Sequence, residues 1–253
     1  MTVVAAYKYA SNPQEAAVDG AGVVDWSRAK AAISEYDPVA IQLGREVADA
    51  NGTELVGISV GGEAVASSLA KKAALSRGLD RALVVADDAT AEWNATTVGK
   101  ALAALVTKVE GANLVLTGDS SIDEAAKIMP AVIAAALGWP CFQEVTEITA
   151  DGEGWVVTHA FGTGTRTVKV SGPVVAAIAT DAQAVKVPGM KDILAAGKKP
   201  LEQVALGDLA VEVTPASVTG RAKPVAVARK QQKFAGEDAA AQLVAALRDS
   251  GVL

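Results

Sequence analysis

Through its first half the chain alternates short apolar runs with segments of helical length, and few folds accommodate that order. Thr2 to Tyr7, Glu54 to Val60, Arg81 to Ala86 and Leu114 to Thr117 read as buried strands. Between them a helix opens at Asp37-Pro38, with Asp37 as N-cap and Pro38 in the first turn, and stops at Asn51-Gly52. A second follows Gly61-Gly62 from Glu63 to about Arg77, and a third spans Thr96 to Val109. Strands separated by helices of this length are joined by right-handed βαβ crossovers, so they lie parallel with helices on both faces. Only 4% of residues are aromatic although 51% are hydrophobic. The core is therefore built from small and branched aliphatic side chains, which suits helices packed closely on a parallel sheet.

The run from Leu114 to Pro140 adds a candidate site. A strand ends in the loop Thr117-Gly118-Asp119-Ser120-Ser121, and an apolar helix follows until Gly138-Trp139-Pro140. A helix that begins past the carboxyl end of a parallel strand turns free N–H groups toward the crevice where open α/β sheets bind nucleotides. Small residues in a βα loop also serve as plain turn chemistry, so both readings stand at this point.

After Pro140 the period changes. Val145 to Thr149, Trp155 to Phe161 and Thr165 to Val170 alternate as strands around Asp151-Gly152-Glu153-Gly154 and Gly162-Thr163-Gly164, which predicts antiparallel hairpins at a sheet edge. Val174 to Ala179 returns as a buried strand, and Val187-Pro188-Gly189-Met190 leads into a short helix. From Leu201 the pattern breaks up around Pro215 and Pro224, while Val204, Leu206, Leu209 and Val211 remain apolar. We expect an α/β domain over residues 1–200 and, over 201–253, a C-terminal arm that lies on a partner subunit.

Several chemistries are excluded or lack support. A net charge of −6 opposes nucleic acid and anionic membrane. The single cysteine, Cys141, cannot form an internal disulfide, and no Cys/His cluster suggests a metal. The only histidine, His159, has no nucleophile at local spacing, and the Walker lysine loop and G-x-G-x-x-G are missing. With no leader and no apolar stretch of spanning length, a cytoplasmic protein without catalytic residues of its own is expected.

Several runs, taken together and in order, resemble the β subunit of electron transfer flavoprotein, and within it the FixA-like branch. Tyr36-Asp37-Pro38-Val39-Ala40-Ile41 is similar to the family's N-P-x-D/N-x-x-A start of the first helix, and Ile58-Ser59-Val60-Gly61-Gly62 to the end of its second strand. Ala74 to Ala82 resembles A-x-x-x-G-x-D-x-A. Leu114 to Gly118 with Ile122-Asp123, then Leu137 to Pro140, resembles the signature loop and helix, and Val187 to Pro200 the recognition loop and basic helix. The resemblance implies a heterodimer with an α subunit that carries the redox FAD. It also implies AMP, or a second FAD, in the β subunit, and a loop that docks on acyl-CoA dehydrogenases. On that reading Ala6, Tyr7, Lys8, Val60 and Gly61 form the nucleotide floor, Thr117, Gly118, Asp119, Ser120, Ser121 and Asp123 the phosphate side, and Val187, Met190 and Ile193 the docking loop. Strand-end packing and a core methionine are the plain alternatives for the floor and for Met190.

Two departures from the family pattern matter. After Asp123 many members carry Asn/Ala-Gln-Thr-Gly or Thr-x-Gln-Val-Gly, whereas this chain reads Glu124-Ala125-Ala126-Lys127-Ile128-Met129-Pro130, leaving Lys127 as a point charge for a phosphate. An acidic position of the hairpin motif G-G-x-E-x-V is occupied by Arg166. Two other readings are therefore kept: a structural subunit that has lost its nucleotide, and a regulatory nucleotide binder of the universal-stress type.

Overall fold

The computed structural model describes residues 1–213, 219, 225–228 and 231–253; Pro215 and Pro224 lie outside the described residues. The chain divides into two compact units, Met1–Thr219 and Gly220–Leu253. In chain order the first contains β1 (Thr2–Ala6), β2 (Tyr9–Ser11), β3 (Ala17–Val18), β4 (Val24–Asp25), β5 (Ala31–Ile33), α1 (Asp37–Ala50), β6 (Leu55–Gly61), α2 (Ser68–Leu75), β7 (Arg81–Ala86), α3 (Ala95–Thr107), β8 (Ala112–Gly118), α4 (Met129–Leu137), β9 (Cys141–Asp151), β10 (Gly154–Phe161), β11 (Gly164–Val170), β12 (Val174–Ile178), α5 (Met190–Ala196) and β13 (Leu201–Gln203). The second unit, taken by itself, holds α6 (Ala239–Asp249).

Nine strands form one sheet in the order β11-β10-β9-β12-β8-β1-β6-β7-β13, with two small antiparallel ribbons, β2-β5 and β3-β4. From β9 to β13 neighbouring strands pair in parallel, and β10 and β11 extend that edge as antiparallel hairpins. The α/β architecture is thus the expected one. Side-chain alternation divides the interior: Val3 and Ala5 of β1 join a core with α1 and α2, whereas Val4 and Ala6 join one with α3 and α4. From β1 the chain proceeds outward to β6 and β7, then returns to place β8 on the other side of β1. That reversal is a topological switch point, and it opens a crevice beyond the carboxyl ends of β1 and β8.

Four local expectations change. Asp37 is not the N-cap of α1: Tyr36 holds that place without a side-chain bond, and the Asp37 carboxylate accepts from the backbone N–H of Lys8 at 2.7 Å. The helix expected from Glu63 to Arg77 is split into a 3-10 turn, Glu63–Ala66, and α2, because Ser67 is extended and its Oγ accepts from Ala70 N–H at 3.1 Å as an N-cap. α4 opens at Met129, so the amides near Asp123 belong to a loop and not to a helix terminus. Past residue 200, β13 pairs with β7, and Val204 and Leu209 are buried in the core under α3, so this stretch packs on its own unit.

Candidate functional site

A cavity of about 310 Å³ lies at the switch point. Its floor is the end of β1 (Ala6, Tyr7, Lys8) and the end of β6 (Val60, Gly61, Gly62); its far wall is Thr117 to Ser121 with Glu124 and Ala126 to Pro130. Trp93, Val98 and Leu102 close it from α3 and the turn before it. The floor is rigid because Tyr7 N–H donates to Ile58 O at 3.0 Å while Ser59 Oγ, fully buried, donates to Tyr7 O at 2.7 Å. One half of the cavity is apolar and the other carries charge, the usual layout of a small-molecule site.

Ala6, Tyr7, Val60, Gly61, Thr117, Gly118, Asp119, Ser120, Ser121 and Lys127 all line this cavity. Asp123 lines a smaller recess of about 60 Å³ that also involves Lys8. Sequence reasoning missed Asp37, Trp93, Val98, Leu102 and Met129. Only Asp37 carried a signal, as the residue before Pro38, and that signal was read as a cap.

The charged half is already paired. Lys127 Nζ lies 2.6 Å from Asp119 Oδ2, and Lys8 Nζ lies 2.6 Å from Asp123 Oδ2 and 3.5 Å from Glu124 Oε1. The hydrogen bond that Lys127 donates to the Asp119 carboxylate raises the ammonium above its ordinary value. Burial alone would push the Asp123 carboxyl up, but Lys8 and Ser121 together hold it below the usual range. Asp37 is the opposite case. Burial pushes its carboxyl up to about 7, and the Lys8 N–H, the Lys8 charge and the Gly118 backbone offset this only in part. Gly118 is required where it stands: a Cβ there would come within 2.7 Å of Asp37 Oδ1 and of the Tyr36 carbonyl. The crowding comes from the start of α1, whose Asp37 also lines the cavity. Ala125 and Lys127 hold φ of 50° and 53°, a left-handed conformation unusual for side-chain-bearing residues, in the loop facing the cavity.

Residues 21–209 match the electron transfer flavoprotein domain. The chain belongs to the electron transfer flavoprotein family. Members of this family are electron-transfer proteins, and the matched stretch contains β4 to β13, the far wall of the cavity and the α5 segment.

An adenine nucleotide can be tested against the cavity of this electron transfer flavoprotein domain. The ring half fits, since Val60, Trp93, Val98, Leu102 and Met129 supply apolar walls. The phosphate half does not. Three carboxylates, Asp37, Asp119 and Glu124, share the wall with two lysines. Two lining backbone N–H groups are taken by the protein's own acids, that of Lys8 by Asp37 (2.7 Å) and that of Glu124 by Asp123 (3.1 Å). Pro130, second in α4, removes a further donor.

The α5 segment exposes Val187 (83%), Met190 (72%) and Leu194 (65%), while Ile193 is half-buried. The accessible pair one helical turn apart is therefore Met190 and Leu194 rather than Met190 and Ile193. Elsewhere, His159 packs edge-on to Phe142 (5.6 Å) and Phe161 (6.1 Å), with Arg166 over Phe161. Cys141 is half-buried and its thiol is raised by burial, which disfavours reactivity. Among the described residues, no group of acidic, His and Cys side chains could hold a metal, and no helix is long and apolar enough to cross a membrane.

Proposed function

We propose that this chain is the β-type subunit of a FixA-like electron transfer flavoprotein. It pairs with a larger α subunit that carries FAD, and the heterodimer relays electrons from acyl-CoA dehydrogenase-type donors to an acceptor in the cytoplasm. The observation that carries this reading is the family match over residues 21–209. When bound on the partner, the flavin supplies the one- and two-electron chemistry. This chain's part is to bind, orient and shield. Val187, Met190 and Leu194 offer an apolar anchor to the dehydrogenase, and α6, with its exposed Leu243 and Val244, packs on the α subunit. The cavity at the switch point is the place for AMP or a second FAD in this reading.

Co-expression with the candidate α subunit, followed by flavin extraction and a dehydrogenase-coupled assay, tests the proposal. A stable pair containing FAD that accepts electrons is expected; a chain that never pairs, or a pair without flavin, would reject it. The paired lysines, with the Lys8 and Glu124 amides taken by Asp37 and Asp123, favour a second reading, in which the subunit is structural and has lost its nucleotide. The universal-stress alternative has no comparable observation behind it, since the family match spans the hairpins as well as the parallel strands.

A further inference from the structure

We infer that the cavity takes an uncharged ligand of the nucleoside class, a flat ring with a hydroxyl-bearing sugar, and discriminates against the same ligand carrying a phosphate. The inference rests on the nucleotide reading of this cavity and narrows it. Its apolar half, formed by Val60, Trp93, Val98, Leu102 and Met129, has the character of a ring slot. In the polar half both cations are already paired with carboxylates. Lys127 and Lys8 each lie 2.6 Å from an aspartate, Glu124 stands second to Lys8, and Asp37 adds a further carboxyl beside the Lys8 amide. A phosphate entering there would meet two lysines already neutralised by aspartates and would face those carboxylates at close range. Two of the lining backbone donors, the N–H groups of Lys8 and Glu124, are bonded to Asp37 and Asp123.

The same groups suit hydroxyls. A carboxylate at the end of a parallel strand accepts hydrogen bonds from the two hydroxyls of a ribose, and it does so without loss of its lysine partner. Ser120, on the same wall, has a buried Oγ without a hydrogen-bond partner among the described residues, a further polar group for a neutral ligand to satisfy. The wall as a whole is thus an acceptor-rich surface next to an apolar slot.

Calorimetric titration of the full chain, purified with its α subunit, with adenosine and with AMP at pH 8 tests this. Adenosine is expected to bind at least about tenfold more tightly. Added salt should narrow the gap, because it screens the repulsion of the phosphate. In the double variant Asp119→Asn, Glu124→Gln, AMP should gain about tenfold relative to adenosine; should that variant fail to fold, the salt series on the wild type decides. AMP binding as tightly as adenosine, or AMP retained through purification, overturns the inference. Binding of neither compound overturns it together with the nucleotide reading of the cavity, whereas flavin content and electron transfer report separately on the subunit assignment.

Discussion

Asp37 shows how one side chain can tie two strand ends together at an electrostatic cost. Its carboxylate bonds the Lys8 amide at the end of β1 and meets the Gly118 backbone at the end of β8, yet burial raises its pKa from 3.8 to about 7. A carboxyl raised in the folded state binds more protons there than in the unfolded chain, so its contribution to stability falls as pH rises from about 4 to 7. Asp37→Asn keeps an acceptor and removes the charge. It is expected to stabilise the protein at pH 8 by about 1–2 kcal/mol, after allowing for the amide's unmet donor, and to give no gain at pH 4. Urea unfolding at the two pH values measures this. Gly118→Val makes a different prediction. Its Cβ would crowd Tyr36 and Asp37, so a loss of about 1–3 kcal/mol should appear in thermal melts with or without any ligand. The strand-end residues of the cavity were legible because strand ends can be read from apolar runs. The buried charge of Asp37 was not, because Asp-Pro is also a helix-start signal and its burial depends on Lys8 and Gly118, which are distant in sequence.

At the scale of elements, legibility followed burial. The strands β1, β6, β7, β8 and β12 are covered on both faces and stand out as continuous apolar runs. The ribbons between β1 and α1 did not stand out, because strands of two or three mostly exposed residues carry no period. β13 escaped for the same reason of length. The α5 segment was visible as a turn followed by a helix, but its orientation depends on contacts that no local pattern encodes. Lys199 Nζ donates to Leu75 O at 3.1 Å and Leu79 O at 2.5 Å, binding the residues after α5 to the end of α2, and Ala196 is buried. This leaves Met190 and Leu194 outward. Met190→Ala is expected to slow electron exchange with the dehydrogenase about tenfold at subsaturating partner, ~1.4 kcal/mol, with flavin content unchanged. Rates equal to wild type would remove this helix from the docking surface.

For the whole molecule, the unit Met1–Thr219 contains every residue of both buried cores. A chain ended at Thr219 is therefore expected to melt within about 2 °C of the full chain and to lose co-purification with the α subunit, as followed by calorimetry and pull-down. Retained pairing would take the arm out of the interface. The outermost strand on the hairpin side, β11, has a consequence of another kind. Among the described residues no strand pairs with one flank of its backbone along Gly164–Val170, and such a row of N–H and C=O groups is a template for a foreign strand. Arg166, stacked over Phe161, and Lys169, paired with Asp151, place two cations along that rim. Cations so placed oppose the addition of a foreign strand, so replacing both by Ala is expected to lower the concentration at which the protein stays in solution, as read by light scattering, through a strand that belongs to neither the cavity nor the α5 segment.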